Sequence, residues 1–143
     1  MTSAELERLV AAGLLRREPP VRDEVEGLVR SAALRLADAE RAGLSLDGRF
    51  DLAYNAGHAL ALAALRWRGY RPAKRYVVFQ ALGHTLGLPA SAWRVLDRCH
   101  GLRNRIEYEG VPDLGVVLVD ELVSIVGDLL ARVRALPPIE GNE

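Results

Sequence analysis

Nine polar or charged residues crowd into the thirteen positions 97–109: Asp97, Arg98, His100, Arg103, Asn104, Arg105, Glu107, Tyr108 and Glu109. The spacing of Ala92, Val95, Leu96, Cys99, Leu102 and Ile106 predicts a helix from about Ser91 to Glu109. On that helix His100, Asn104, Glu107 and Tyr108 share one side, at offsets of three and four. Arg103 flanks them, one position on from apolar Leu102. Its guanidinium is therefore expected half-buried at the edge of a cleft, where it could grip a phosphate bidentately. The same spacing also fits plain structure. Arg103 and Glu107 can form an intrahelical ion pair, Arg94, Asp97 and Arg98 an ordinary solvated surface, and Tyr108 can pack at a helix end. Spacing alone leaves both readings open.

Other chemistry is sparsely represented. The chain has no phosphate-binding Gly-rich loop, no His-Glu-x-x-His and no Gly-x-Ser-x-Gly. His58, His84 and His100 fall on different predicted helices without ligand spacing, so no metal site and no cofactor is expected. Cys99 is the one cysteine, which excludes a disulfide framework and fits a reducing cytoplasm. Tyr54 and His58, four apart, point either at a cleft or into the core as hydrogen-bonded residues. Trp67 and Trp93 read as packing residues, with base stacking the alternative. Arg71, Lys74 and Arg75 form a basic cluster. Together with Arg98 they are candidate contacts to an RNA backbone.

The elements that must position these groups are all helical. The first predicted helix has a capping box at Thr2 and Glu5, then Leu6, Leu9, Val10, Gly13 and Leu14 at helical spacing, and Glu18-Pro19-Pro20 stops it. The second runs to about Ala42 on the stripe Val21, Val25, Leu28, Val29, Ala32 and Leu36. The third spans about Arg49 to Arg68, capped by Ser45 or Asp47. Its second half is apolar on every side, as for a helix inside a bundle. Gly69-Tyr70-Arg71-Pro72 ends it. A fourth helix is expected from about Ala73 to Leu86, and a sixth from about Asp113 to Ala135. No stretch alternates with period two, and short turns between long helices imply an up-and-down bundle.

Bulk properties agree. The 143 residues are half hydrophobic, enough for one domain with a real core and too many for a disordered chain. Nineteen basic residues balance nineteen acidic ones, so any nucleic-acid contact must be a local patch. Lys74 is the only lysine. Arginine suits planar recognition of carboxylate and phosphate, and a GC-rich coding sequence is the plain alternative. The N-terminus lacks signal-peptide order and no apolar run is long enough to span a bilayer, so a cytoplasmic protein without membrane contact is expected.

Three segments in order carry a resemblance: Tyr54-Asn55-Ala56-Gly57-His58-Ala59-Leu60-Ala61, then Arg66-Trp67-Arg68-Gly69-Tyr70-Arg71-Pro72, then, after another helix, Leu102-Arg103-Asn104-Arg105-Ile106-Glu107-Tyr108-Glu109-Gly110. This order resembles the small prokaryotic HEPN-domain proteins, over about Asp51 to Gly110. Those are helical bundles with an alanine-rich inner helix, a Gly-Tyr-x-Pro turn and an Arg-Asn-x-x-x-His/Tyr motif on a late helix. The resemblance implies a homodimer whose paired motifs share one cleft. It also implies either a toxin-type, metal-independent ribonuclease or a catalytically inactive protein that binds RNA, nucleotides or a protein partner.

By the same resemblance Arg103 grips phosphate, Asn104 orients it, and Tyr108 stands where active members carry histidine. Metal-free RNA cleavage needs a base for the 2′-hydroxyl and an acid for the leaving oxygen. Imidazole titrates near neutrality, whereas a phenol titrating at about 10 is a poor base. His100, with Glu107 and Arg105 in support, is the candidate to supply the missing group.

The resulting expectation is an all-α, HEPN-like up-and-down bundle of five to six helices over residues 1–136, with a disordered tail at 137–143. It acts on or binds RNA or nucleotides. The alternative is a non-catalytic helical partner of a small nucleotidyltransferase or another antitoxin.

Overall fold

The computed structural model describes residues 4–41, 43–74, 77–110 and 114–140, without the side chains of Glu107 and Glu109. The chain forms an all-helical bundle: α1 (Ala4–Ala11), β1 (Leu15–Arg17), α2 (Arg22–Ala39), α3 (Leu46–Trp67), β2 (Tyr70–Pro72), α4 (Val77–Gln80), α5 (Leu82–Thr85), α6 (Ala90–Glu109) and α7 (Val116–Arg134). Thr2, half of the expected capping box, lies outside the described residues, as does Ala42.

α3 is the axis of the molecule and packs against α2, α7, α6 and both short helical turns. Ser45 starts it: its hydroxyl accepts a hydrogen bond from the Gly48 amide at 3.0 Å, one of the two caps anticipated. Ala53, Ala56, Ala61, Ala63 and Ala64 are fully buried, which lets neighbouring helices come close. Gly57 marks the tightest approach. A Cβ there would lie 3.1 Å from a Val126 methyl on α7, which would have to shift by a few tenths of an ångström, and at ordinary contact, 3.5 Å, from Leu96 on α6.

Two expectations are corrected. α1 ends at Ala11 rather than at Glu18, and the chain then pairs Leu15–Arg17 antiparallel with Tyr70–Pro72 (Leu15 opposite Pro72, Arg17 opposite Tyr70). Three-residue strands are too short to show a period of two, and their partners lie more than fifty positions apart. The continuous fourth helix is instead two single turns. The Ala73 amide is bonded to the Leu14 carbonyl at 2.9 Å, which carries the pairing of the two strands one residue past Pro72, where the sequence suggested the helix would begin. Of the segment 137–143, residues 141–143 lie outside the described residues, and residues 137–140 lie against the bundle. Trp67 donates its indole N–H to the Pro137 carbonyl at 2.8 Å, and Ile139 packs on the core.

A buried guanidinium joins these pieces. Arg66, near the C-terminal end of α3, is 0% exposed. It donates to the Glu24 carboxylate at 2.8 Å and to the carbonyls of Glu18, Pro19 and Tyr70 at 3.0, 2.8 and 3.2 Å, while the Glu18 carboxylate lies 3.3 Å away. Arg71 on β2 bridges the same two carboxylates from outside, at 2.8 Å to each. Nearby, Arg17 and the Tyr70 hydroxyl both bond Glu7, tying α1 to the strands.

These contacts shift the carboxylates together. Arg71, and then Arg66, hold Glu18 below the usual carboxylate range. Burial opposes ionisation of Glu24, but the two guanidiniums outweigh it and its pKa is also lowered. A depressed folded-state pKa stabilises the fold above the unfolded value of about 4.3 and loses that contribution as pH falls through the folded value. Acidification below about pH 4 is therefore expected to strip hydrogen-exchange protection from the Glu18 and Ala73 amides before the α3 core opens. Protection that persists until global unfolding would contradict this order. Arg66→Ala leaves three carbonyls and two carboxylates short of a donor. It is expected to cost about 3–5 kcal/mol in urea unfolding, against well under about 1 kcal/mol for Arg16→Ala at the exposed Arg16–Glu18 pair.

Candidate functional site

Midway along α6, successive side chains are split between two environments. Consecutive residues of an α-helix point about 100° apart, so Arg103 and Asn104 cannot face the same way. Arg103 turns inward toward α3. It donates to Asn55 Oδ1 at 3.0 Å, holds its guanidinium 5.1 Å from the Tyr54 ring centroid, and lies 3.9 Å from Asp51. One turn earlier, His100 Nδ1 shares a 2.8 Å hydrogen bond with the Tyr54 hydroxyl. Tyr54 is itself 4% exposed and sits in an aromatic group with Phe50, His58 and Phe79, at ring separations of 5.8–6.5 Å. The inward site is thus a packed, hydrogen-bonded layer between α3 and α6.

A cavity of about 230 Å³ opens beside Arg103, lined by Asp47, Phe50, Asp51 and Ile106. Two carboxylates and one guanidinium give it a formal excess of negative charge. An anion would meet a guanidinium that already donates to Asn55 and would approach it past Asp51. The arrangement therefore suits positioning of Arg103 better than a ready grip on phosphate.

The outward face of α6 is different. Arg94, Arg98, Gly101, Arg105 and Tyr108 recur at offsets of 4, 7, 11 and 14, which is one continuous helical stripe, and all are exposed. A Cβ on Gly101 would meet nothing within 4 Å, and Tyr108 is 80% exposed. Asn104 is exposed beside this stripe. His100, Asn104 and Tyr108 follow one another along one side of α6, but His100 is drawn into the inner layer by Tyr54 while the other two are exposed. The side chain of Glu107 lies outside the described residues.

The basic cluster expected around residue 71 is not part of either face. Arg71 is held by Glu18 and Glu24, Lys74 is exposed, and Arg75 lies outside the described residues. Arg66, which shares those carboxylates, is eleven positions from Asn55 on α3, roughly 16 Å along the axis. Sequence reasoning gave no role to Asn55 and Asp51. Their signal was an i, i+4 polar pair on a helix that is otherwise largely apolar. Cys99 is buried, and burial pushes its thiol up to about 11, so it is no nucleophile at neutral pH. Among the described residues no three His, Cys, Asp or Glu side chains gather as a metal-ligand group, and no helix is long and apolar enough to cross a membrane.

The two faces predict opposite responses to truncation. Arg103→Ala removes a hydrogen bond and a cation–π contact and is expected to cost about 1–2 kcal/mol. Asn104→Ala is expected to change stability by less than about 0.5 kcal/mol. Equal, negligible effects in chemical denaturation would mean that Arg103 is not fastened to α3. In comparisons with known proteins, no family model, no curated protein and no solved structure matches the chain.

Proposed function

We propose that this chain is a HEPN-like, cytoplasmic domain that binds RNA without cleaving it, through the outward face of α6. The observation that carries the reading is the exposed stripe Arg94–Arg98–Gly101–Arg105–Tyr108. Three guanidiniums on one side of a helix can follow a phosphate backbone, Gly101 leaves room for the strand, and Tyr108 offers a ring on which a base can stack. Divergence of the motif supports binding rather than cleavage. Metal-free cleavage needs acid and base at the same phosphate, whereas His100 bonds Tyr54 and Tyr108 faces solvent.

A second reading, a helical partner of a nucleotidyltransferase or another antitoxin, has its own support. Tyr108 at the end of α6 is 80% exposed, and Val116 and Val117 at the start of α7 are 52% and 78% exposed, large side chains of the kind that a protein contact or the pairing of two copies would cover.

Fluorescence anisotropy with a labelled single-stranded RNA, without metal, separates these readings. Wild type is expected to bind and leave the RNA intact. Arg98→Glu with Arg105→Glu should weaken binding about tenfold or more and flatten the salt dependence by about 0.7 per lost phosphate contact. Cleavage by wild type that Arg103→Ala abolishes would overturn the non-cleaving reading. Absence of binding, together with a dimer or complex that Val117→Asp dissolves, would favour the second.

A further inference from the structure

A second cavity, lined by described residues, lies away from α6. It has a volume of about 570 Å³, within the roughly 300–1,000 Å³ range of small-molecule sites. One wall is α2, through Val25, Val29 and Ala33, and the opposite wall is the end of α7 with the tail, through Val133, Leu136 and Ile139. Trp67 also lines it. Its only donor, the indole N–H, is already bonded to the Pro137 carbonyl, so what remains for a ligand is the apolar ring. That bond also holds the tail in place as a wall.

The polar groups of the lining are Arg22, Glu26, Arg30 and Arg134, three positive charges against one negative. Arg22 lies 3.8 Å from Asp23. Arg30 and Arg134 are exposed, and among the described residues no ion pair holds either. A cavity with apolar walls and free guanidiniums complements a molecule with an apolar body and one anionic head. A guanidinium fork matches a carboxylate in plane and charge, which an alcohol or an ammonium head does not.

We propose that this cavity binds an amphipathic carboxylate of the acyl type. The chain lies along Val25, Val29 and Trp67, and the head is held by Arg30 and Arg134. The site is independent of the RNA reading, since it uses no residue of α6.

Trp67 itself provides the readout. In a Trp93→Phe background it is the only tryptophan, and octanoate is expected to shift its emission saturably. Octanol should bind about tenfold more weakly, reflecting a lost charge-assisted pair. Arg30→Glu with Arg134→Glu should remove the preference for the acid, and Ala33→Phe should block both ligands by filling the cavity. Circular dichroism of each variant verifies that the helices persist. A Trp67 signal that does not saturate, equal affinity for octanol, or a preference that survives charge reversal would overturn the proposal. So would a signal that sedimentation traces to dissociation of two copies paired over this face.

Discussion

The fold depends on the full solvation of one guanidinium by protein. Arg66 sits at 0% exposure on the central helix, and a charge placed there is tolerable only if its N–H groups find acceptors. They find a carboxylate from α2 and carbonyls from both sides: Glu18 and Pro19 before α2, and Tyr70 on β2. This requirement explains features that otherwise look unrelated. The run Glu18-Pro19-Pro20, between β1 and α2, presents the Glu18 and Pro19 carbonyls to the guanidinium. The chain after α3 turns at Gly69, at φ +89°, so that the Tyr70 carbonyl comes back over the same helix end. The two short strands are the consequence of bringing these segments side by side.

The preference for arginine over lysine acquires a structural meaning in the same way. Arg49 donates to the Ala39 carbonyl at the end of α2 and to Asp120 on α7. Arg68 donates to the Thr85 carbonyl, and Arg132 to the Leu86 carbonyl. Each guanidinium satisfies a backbone acceptor where a helix or turn ends. Arg49 and Arg132 use a second nitrogen to reach a carboxylate as well. An ammonium is a single point of donation and cannot span two such acceptors with fixed geometry. The composition is thus partly a record of how a small bundle with several chain breaks closes its carbonyls.

Helical geometry also sorts the chemistry of α6. With about 100° between neighbours, an inward Arg103 obliges Asn104 to face out, and Arg98 and Arg105 to follow the outer stripe. The inner residues are fastened to Tyr54 and Asn55 and rigidify the α3–α6 contact. The outer ones stay exposed, with their charge in solvent. Packing contacts and exposed charge are therefore separated on two sides of one helix.

How much of this was legible in the sequence follows from the range of the interactions. Local sequence determined the long helices, the burial of α3 and a cap at Ser45 or Asp47, because each rests on residues within a few positions. It also located the polar segment of α6 and the core-side placement of Arg103 next to Leu102. What only the tertiary structure decided were contacts between distant positions: Leu15 with Pro72, Arg66 with Glu24, Arg103 with Asn55 and Trp67 with Pro137. None of these leaves a periodic trace, because a pairing across tens of residues is selected by the packed shape and not by spacing. The polar segment thus keeps its place in the reading, while its division into a structural face and an exposed face was decided by what α3 presents opposite it.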